Sequence, residues 1–206
     1  MARVSRVAYR FTAAPLTSET WSDLEALAER PGSTVLRSCW CLFYRRTGDF
    51  GLTLASGPEH RADLCEVVER GESPGLVGYV DGEPAGWISL GPRPEYPRLD
   101  ASRIMRAVDD APVWSVVCSF VGRDFRGQGV QRRLLSAAID FARHQGVRVL
   151  EAYPVDKPGR SDNGSMWWGS RSLYERAGSR EVERRSATRL VMRRALRPRR
   201  DTATTV

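Results

Sequence analysis

The residues of this chain best suited to chemistry lie between Arg123 and Arg133, where Gly127 and Gly129 stand among Arg123, Arg126, Arg132 and Arg133. An apolar run, Val113 to Val121, enters this segment, and an amphipathic pattern leaves it. Glycines let the backbone turn sharply and approach a ligand with no side chain in between. The first turn of a following helix carries amide N–H groups without partners inside the helix, and its dipole adds about half a positive charge there. Such a turn suits a phosphate group. A plain strand-to-helix turn on a basic surface has the same composition, so the segment alone leaves both readings open.

The elements that must hold this turn follow an alternating order. Val7 to Phe11 reads as a first strand, and Ser18 as the cap of a helix running to about Glu29 with Trp21, Leu24 and Ala28 on one face. Val35 to Tyr44, rich in aromatic residues, reads as a strand with Cys39 and Cys41 on one side. Glu59 to Arg70 is a short helix. Leu76 to Val80 and Ala85 to Leu90 form a hairpin about Asp81-Gly82, a strong turn dipeptide. Pro92, Pro94 and Pro97 open a loop, with a brief helix over Leu99 to Ala107.

Val113 to Val121 is apolar on both faces, with Trp114, Val116, Cys118 and Phe120 on one and Val113, Val117 and Val121 on the other. A strand of that kind is buried between layers. The helix from Gly127 to about Gln145 ends at Gly146, and Val147 to Val155 returns as a strand. The right-handed crossover makes these two strands parallel neighbours. A helix from Ser165 to Ala177 and two strands, 180–185 and 188–193, close an α/β domain over residues 1–195. A basic tail with no apolar pattern, 196–206, reads as mobile.

Arg126-Gly127-Gln128-Gly129-Val130-Gln131 resembles the acetyl-CoA pyrophosphate loop of the GNAT superfamily of N-acetyltransferases, whose pattern is (Arg or Gln)-x-x-Gly-x-(Gly or Ala). Gln131 departs from the sixth position. Tyr79 to Trp87 resembles the family's hairpin, and Leu173-Tyr174-Glu175-Arg176-Ala177-Gly178 its late helix. Trp167 stands where members often carry Asn, and Ser179 where they carry an aromatic residue. The resemblance spans roughly residues 75 to 192.

It implies the GNAT fold: one mixed, mostly antiparallel sheet with a splayed parallel pair at its centre and helices on both faces. It also implies an acetyl-CoA co-substrate and no metal. Arg126 to Arg132, with Gly127, Gln128, Gly129, Val130 and Gln131 between, would hold the pyrophosphate, and Ser119, Phe120 and Val121 the pantetheine arm. A backbone N–H of that strand would polarise the thioester carbonyl. Tyr174 takes the family's position for the acid that protonates the leaving thiolate. Core packing is the alternative role for that residue. Glu151 and Asp110 are candidate bases, each with an ordinary salt-bridged alternative. Trp40, Phe43 and Trp87 are candidates for lining the acceptor pocket.

At 206 residues, 41% hydrophobic and 28% charged, the chain suits one soluble domain with a true core, and no apolar run spans a membrane. The N-terminal residues lack an export signal, so the expected compartment is the cytoplasm. The four cysteines read as buried or pocket-lining thiols. His60 and His144 read as solvated. The net charge of +7 comes almost wholly from arginine, Lys157 being the one lysine, and no nucleic-acid motif accompanies it. The expected activity is acetyl transfer to a primary amine of a small molecule or a protein. An acyl-CoA-binding regulatory module with little turnover is the alternative, and association into a homodimer stays open.

Overall fold

The computed structural model describes residues 9–48, 55–157 and 167–197. Its strands are β1 (Phe11–Pro15), β2 (Gly75–Val80), β3 (Glu83–Pro92), β4 (Trp114–Val121), β5 (Val149–Ala152), β6 (Arg180–Ser186) and β7 (Arg189–Ala195). Among the described residues they form one seven-stranded sheet in the order β1-β2-β3-β4-β5-β7-β6. Every neighbouring pair is antiparallel except β4 and β5, which run parallel. The crossover between those two is helix α5 (Val130–His144). The fold is thus the expected mixed sheet with a parallel pair.

Burial divides between two faces. On one, Leu134, Leu135, Ala138, Ile139 and Ala142 of α5 cover Ile88 and Leu90 of β3, joined by Leu173 and Tyr174 of α6 (Arg171–Arg176). On the other lie α1 (Trp21–Glu29), α2 (Thr34–Cys39) and α3 (Gly57–Glu69), whose Leu24, Leu36 and Leu64 pack with Val77 and Trp87. Helical periodicity predicts the stripes of α1, α3 and α5. The Asp81-Gly82 turn forms as expected, with both residues at positive φ.

Several local expectations are corrected. Val35 to Tyr44 is not a strand: Thr34–Cys39 is helical, with the Ser38 hydroxyl donating to the Thr34 carbonyl at 2.8 Å, and Trp40 and Cys41 then turn left-handed at φ 47° and 52°. Aromatic and β-branched content favours a strand, but burial of Leu36 and Cys39 on one helical side overrides that local preference. The first strand lies later than expected, at Phe11–Pro15, and Val7 and Ala8 fall outside the described residues. Thr20, not Ser18, organises the start of α1, its hydroxyl donating to the Pro15 carbonyl and accepting from the Thr17 amide.

The prolines start the brief helix early, at α4 (Pro97–Ala101), because proline fits the first helical turn. The late helix is only Arg171–Arg176, Ser165 and Met166 lying outside the described residues, and Val155 makes an isolated bridge beyond β5. At the C-terminal end Arg193 and Arg194 belong to β7, and Leu196 is buried. Residues 198–206 of the expected tail, Arg199 and Arg200 included, fall outside the described residues.

Candidate active site

The glycine turn at the end of β4 folds as its residues demand. Gly127 and Gly129 sit at φ 78° and 85°, where L side chains are strained, and a Cβ at either would meet nothing within 4 Å. The cradle is therefore open toward solvent. Its shape is braced from below: Arg126 Nε donates to the Val121 carbonyl at 3.0 Å, Gln128 Nε2 to the Asp124 carbonyl at 2.8 Å, and the Tyr9 hydroxyl to the Gln128 carbonyl at 2.8 Å. Val130 buries itself while Arg132 and Arg133 remain exposed. Beside the cradle runs a groove of about 560 Å³ edged by Arg132, Arg133, Arg176 and Arg194.

Ahead of the cradle, β4 carries a bulge at Val117. Ser89 pairs with Cys118 and Leu90 with Val116, leaving Val117 as the extra residue. Simple alternation is therefore corrected. Trp114, Val116 and Val121 face α5, whereas Val117, Cys118 and Phe120 face the α1–α3 side. The parallel pairing of β4 with β5 covers Trp114 to Val116 and stops at the bulge. Past it the strands part, and the Ser119 amide donates instead to the Trp167 carbonyl at 2.7 Å, with the Ser119 hydroxyl donating to the same oxygen at 3.2 Å. Gln131 Nε2, from the first turn of α5, donates to the Ser119 hydroxyl at 2.9 Å.

On the α1–α3 side of the parted strands lies a cavity of about 240 Å³. Phe43, Trp167 and Trp168 give it an apolar lining, and the thiols of Cys39, Cys41 and Cys118 open onto it. Tyr44 also borders it. Its hydroxyl accepts from Trp168 Nε1 at 2.8 Å, and burial pushes its pKa up to about 12. Burial likewise pushes the Cys39 thiol up to about 12. Tyr44 and Cys39 thus stay uncharged at physiological pH.

A sheet parted at the middle of a parallel pair, with an open glycine cradle at the end of one of those strands, has a counterpart in sequence. The model of the acetyltransferase (GNAT) family matches residues 40–162. This chain belongs to the GNAT acetyltransferase family. Among solved structures, the PaiA N-acetyltransferase of Thermoplasma acidophilum, determined in complex with coenzyme A, is 15% identical. That match covers 91% of this chain and 99% of that one, with a TM-score of 0.52. The ribosomal-protein-alanine N-acetyltransferase of Brucella melitensis is 20% identical over 90% of this chain and 99% of that one, with a TM-score of 0.53. At those identities the likeness is one of fold. Among curated proteins no sequence matches.

Within this GNAT domain the residues singled out from the sequence scatter. Phe43 lines the cavity, whereas Trp40 is buried in the core, stacked on Trp21 at 5.9 Å, and Trp87 is wholly buried between sheet and helices. Tyr174 is buried on the α5 side, and burial, reinforced by the nearby Cys118, raises its phenol well above the ordinary tyrosine range. Asp110 is exposed in the loop before β4.

Glu151 is wholly buried and accepts from Arg93 Nη1 at 3.1 Å, the Tyr153 hydroxyl at 2.6 Å and Arg193 Nε at 2.7 Å. Arg193 continues to Asp109, whose carboxyl its hydrogen bonds hold below the usual range, and Arg93 to Asp100. This network, seated where β4 and β5 are still paired, has no local sequence signature beyond the lone acid in an apolar strand. The solvated reading of His60 is also corrected: it is buried, its Nδ1 2.7 Å from the Ser38 carbonyl near the end of α2. His144 is exposed, as expected. Among the described residues no cluster of His, Cys, Asp or Glu could hold a metal ion, and no helix is long and apolar enough to cross a membrane.

Proposed function

We propose that the protein moves an acetyl group from acetyl-CoA directly to a primary amine of a small molecule or a protein. The observation that carries this reading is the joint placement of a parted β4–β5 pair past Val117 and an open glycine cradle at Gly127 and Gly129, reached through the short turn that follows β4. Backbone amides from Gly127 to Arg132 would hold the pyrophosphate, with Arg126 bracing the turn. The arginine-edged groove beside the cradle suits further phosphate charge. Val121, Phe120 and Ser119 would follow the pantetheine arm toward the bulge. There the Ser119 N–H is the donor best placed to stabilise the oxyanion.

The amine attacks the thioester carbonyl, and the CoA thiolate leaves with a proton. Tyr174 is the proposed donor of that proton. Its raised pKa keeps the phenol protonated across the neutral range, as an acid requires. Glu151 already accepts three hydrogen bonds from two guanidinium groups and a phenol, so it serves here as a positioning group. An apolar cavity disfavours the ammonium form, which lets the amine arrive neutral.

A second reading, an acyl-CoA-binding module with little turnover, is favoured by one contact. The Trp167 carbonyl occupies both donors of Ser119, so the loop before α6 must move before that amide can serve a thioester. Two measurements separate the readings. Acetyl-CoA should raise the melting temperature under both, by an amount equivalent to about 2.7 kcal/mol at a hundredfold excess over Kd. Thiol release across a panel of amines should appear only under the first. No thermal shift with millimolar acetyl-CoA would remove both.

A further inference from the structure

The cavity wall holds a feature that acetyl transfer does not use. Cys41 and Cys118 are 77 residues apart in sequence, yet their sulfurs lie 2.8 Å apart, the Cys41 thiol donating to Cys118. That is about 0.8 Å longer than an S–S bond of about 2.05 Å. Two independent backbone devices produce this meeting. The left-handed residues Trp40 and Cys41 swing the chain back after α2, and the bulge at Val117 moves Cys118 onto the same side of the sheet. Both thiols are buried from bulk solvent but open onto the same cavity as Cys39, with ample room for an oxidant little larger than water.

We propose that Cys41 and Cys118 form a redox pair that a hydroperoxide closes into a disulfide in the cavity wall. The sulfur of Cys118, which accepts the S–H, attacks the peroxide O–O bond and becomes a sulfenic acid, releasing water. The sulfur of Cys41 then displaces the hydroxyl, its proton leaving with it as a second water. Two thiols and one hydrogen peroxide give one disulfide and two waters. The bond ties the turn after α2 to β4 one residue before Ser119, where it fixes one wall of the cavity. The contact with Cys118 and burial hold Cys41 in the thiol form, so closure accelerates as pH rises.

The test treats the full chain with hydrogen peroxide, removes the excess with catalase, alkylates in denaturant and digests with trypsin. Two of the four cysteines should escape alkylation, and the peptides covering residues 38–45 and 107–123 should emerge joined until dithiothreitol parts them. Cys39 shares the first peptide with Cys41, so Cys39→Ser must keep the link while Cys41→Ser and Cys118→Ser each lose it. Circular dichroism of each variant before oxidation shows whether it has folded, and the joined peptide from the wild-type chain stands apart from that question. Four alkylated cysteines after an oxidation that consumes a free-thiol control would overturn the proposal. So would a joined peptide surviving in folded Cys41→Ser.

Discussion

The cradle follows the end of β4 and the cavity touches the same strand at Val117 and Cys118, yet they are built in opposite ways. The cradle is mostly local: its glycines, helix start and bracing arginine fall within residues 121–133, with a further brace from the distant Tyr9. The cavity is assembled from the α2 turn, the β4 bulge and the segment before α6, which lie far apart in sequence. The difference teaches that a part held by backbone amides tolerates wide changes of side chain. A part walled by side chains from three segments depends on each of them. Gln131 illustrates the first: the larger residue in the turn finds a partner in the Ser119 hydroxyl and leaves the glycine backbone open.

The largest effect expected from breaking this contrast is at Tyr174. Tyr174→Phe should lower kcat by about 100- to 10,000-fold with the KM for acetyl-CoA unchanged, because only the proton is lost. Full activity in this variant would return Tyr174 to packing alone. The wild-type rate should climb with pH as the acceptor amine deprotonates and show no descending limb up to pH 10, since the phenol titrates above its ordinary value. A fall between pH 7 and 9 would point to a different acid.

Next in size, Glu151→Ala should cost about 3 kcal/mol of stability by removing the buried carboxylate that Arg93 and Arg193 share, which leaves Asp100 and Asp109 as their acidic partners among the described residues. For a chain of this length that is a drop of about 10 °C in Tm. A change below 2 °C by calorimetry would mean the network does not brace the paired end of β4 and β5.

Gly129→Val should weaken acetyl-CoA about tenfold or more by titration calorimetry, through the strain of a branched residue at φ 85°. Unchanged affinity would dissociate the cradle from the ligand. The smallest effect belongs to Gln131→Ala, which removes one hydrogen bond to Ser119 and should change acetyl-CoA affinity by no more than about threefold. A tenfold loss there would show that the cradle too relies on a side chain.

The sheet, the hairpin at Asp81-Gly82 and the central helix were legible because each is written in a period of two or 3.6 and closed by residues with particular dihedral preferences. The segment after Val35 was not. Its aromatic residues match a strand's composition, and only contacts with α3, including the His60 ring against the Ser38 carbonyl, favour a helix there. The bulge was equally hidden, since Val116-Val117-Cys118 alternates acceptably in either register.

By itself, the sequence determined the class of fold, the parallel crossover and the open glycine turn before α5, because each depends on neighbours within a helical turn or a strand. Tertiary structure alone decided that Glu151 is locked between two arginines, that Trp87 and Trp40 are core, and that Cys41 meets Cys118. These outcomes depend on which distant side chains share a face of the sheet. One extra residue in a strand is enough to exchange those faces.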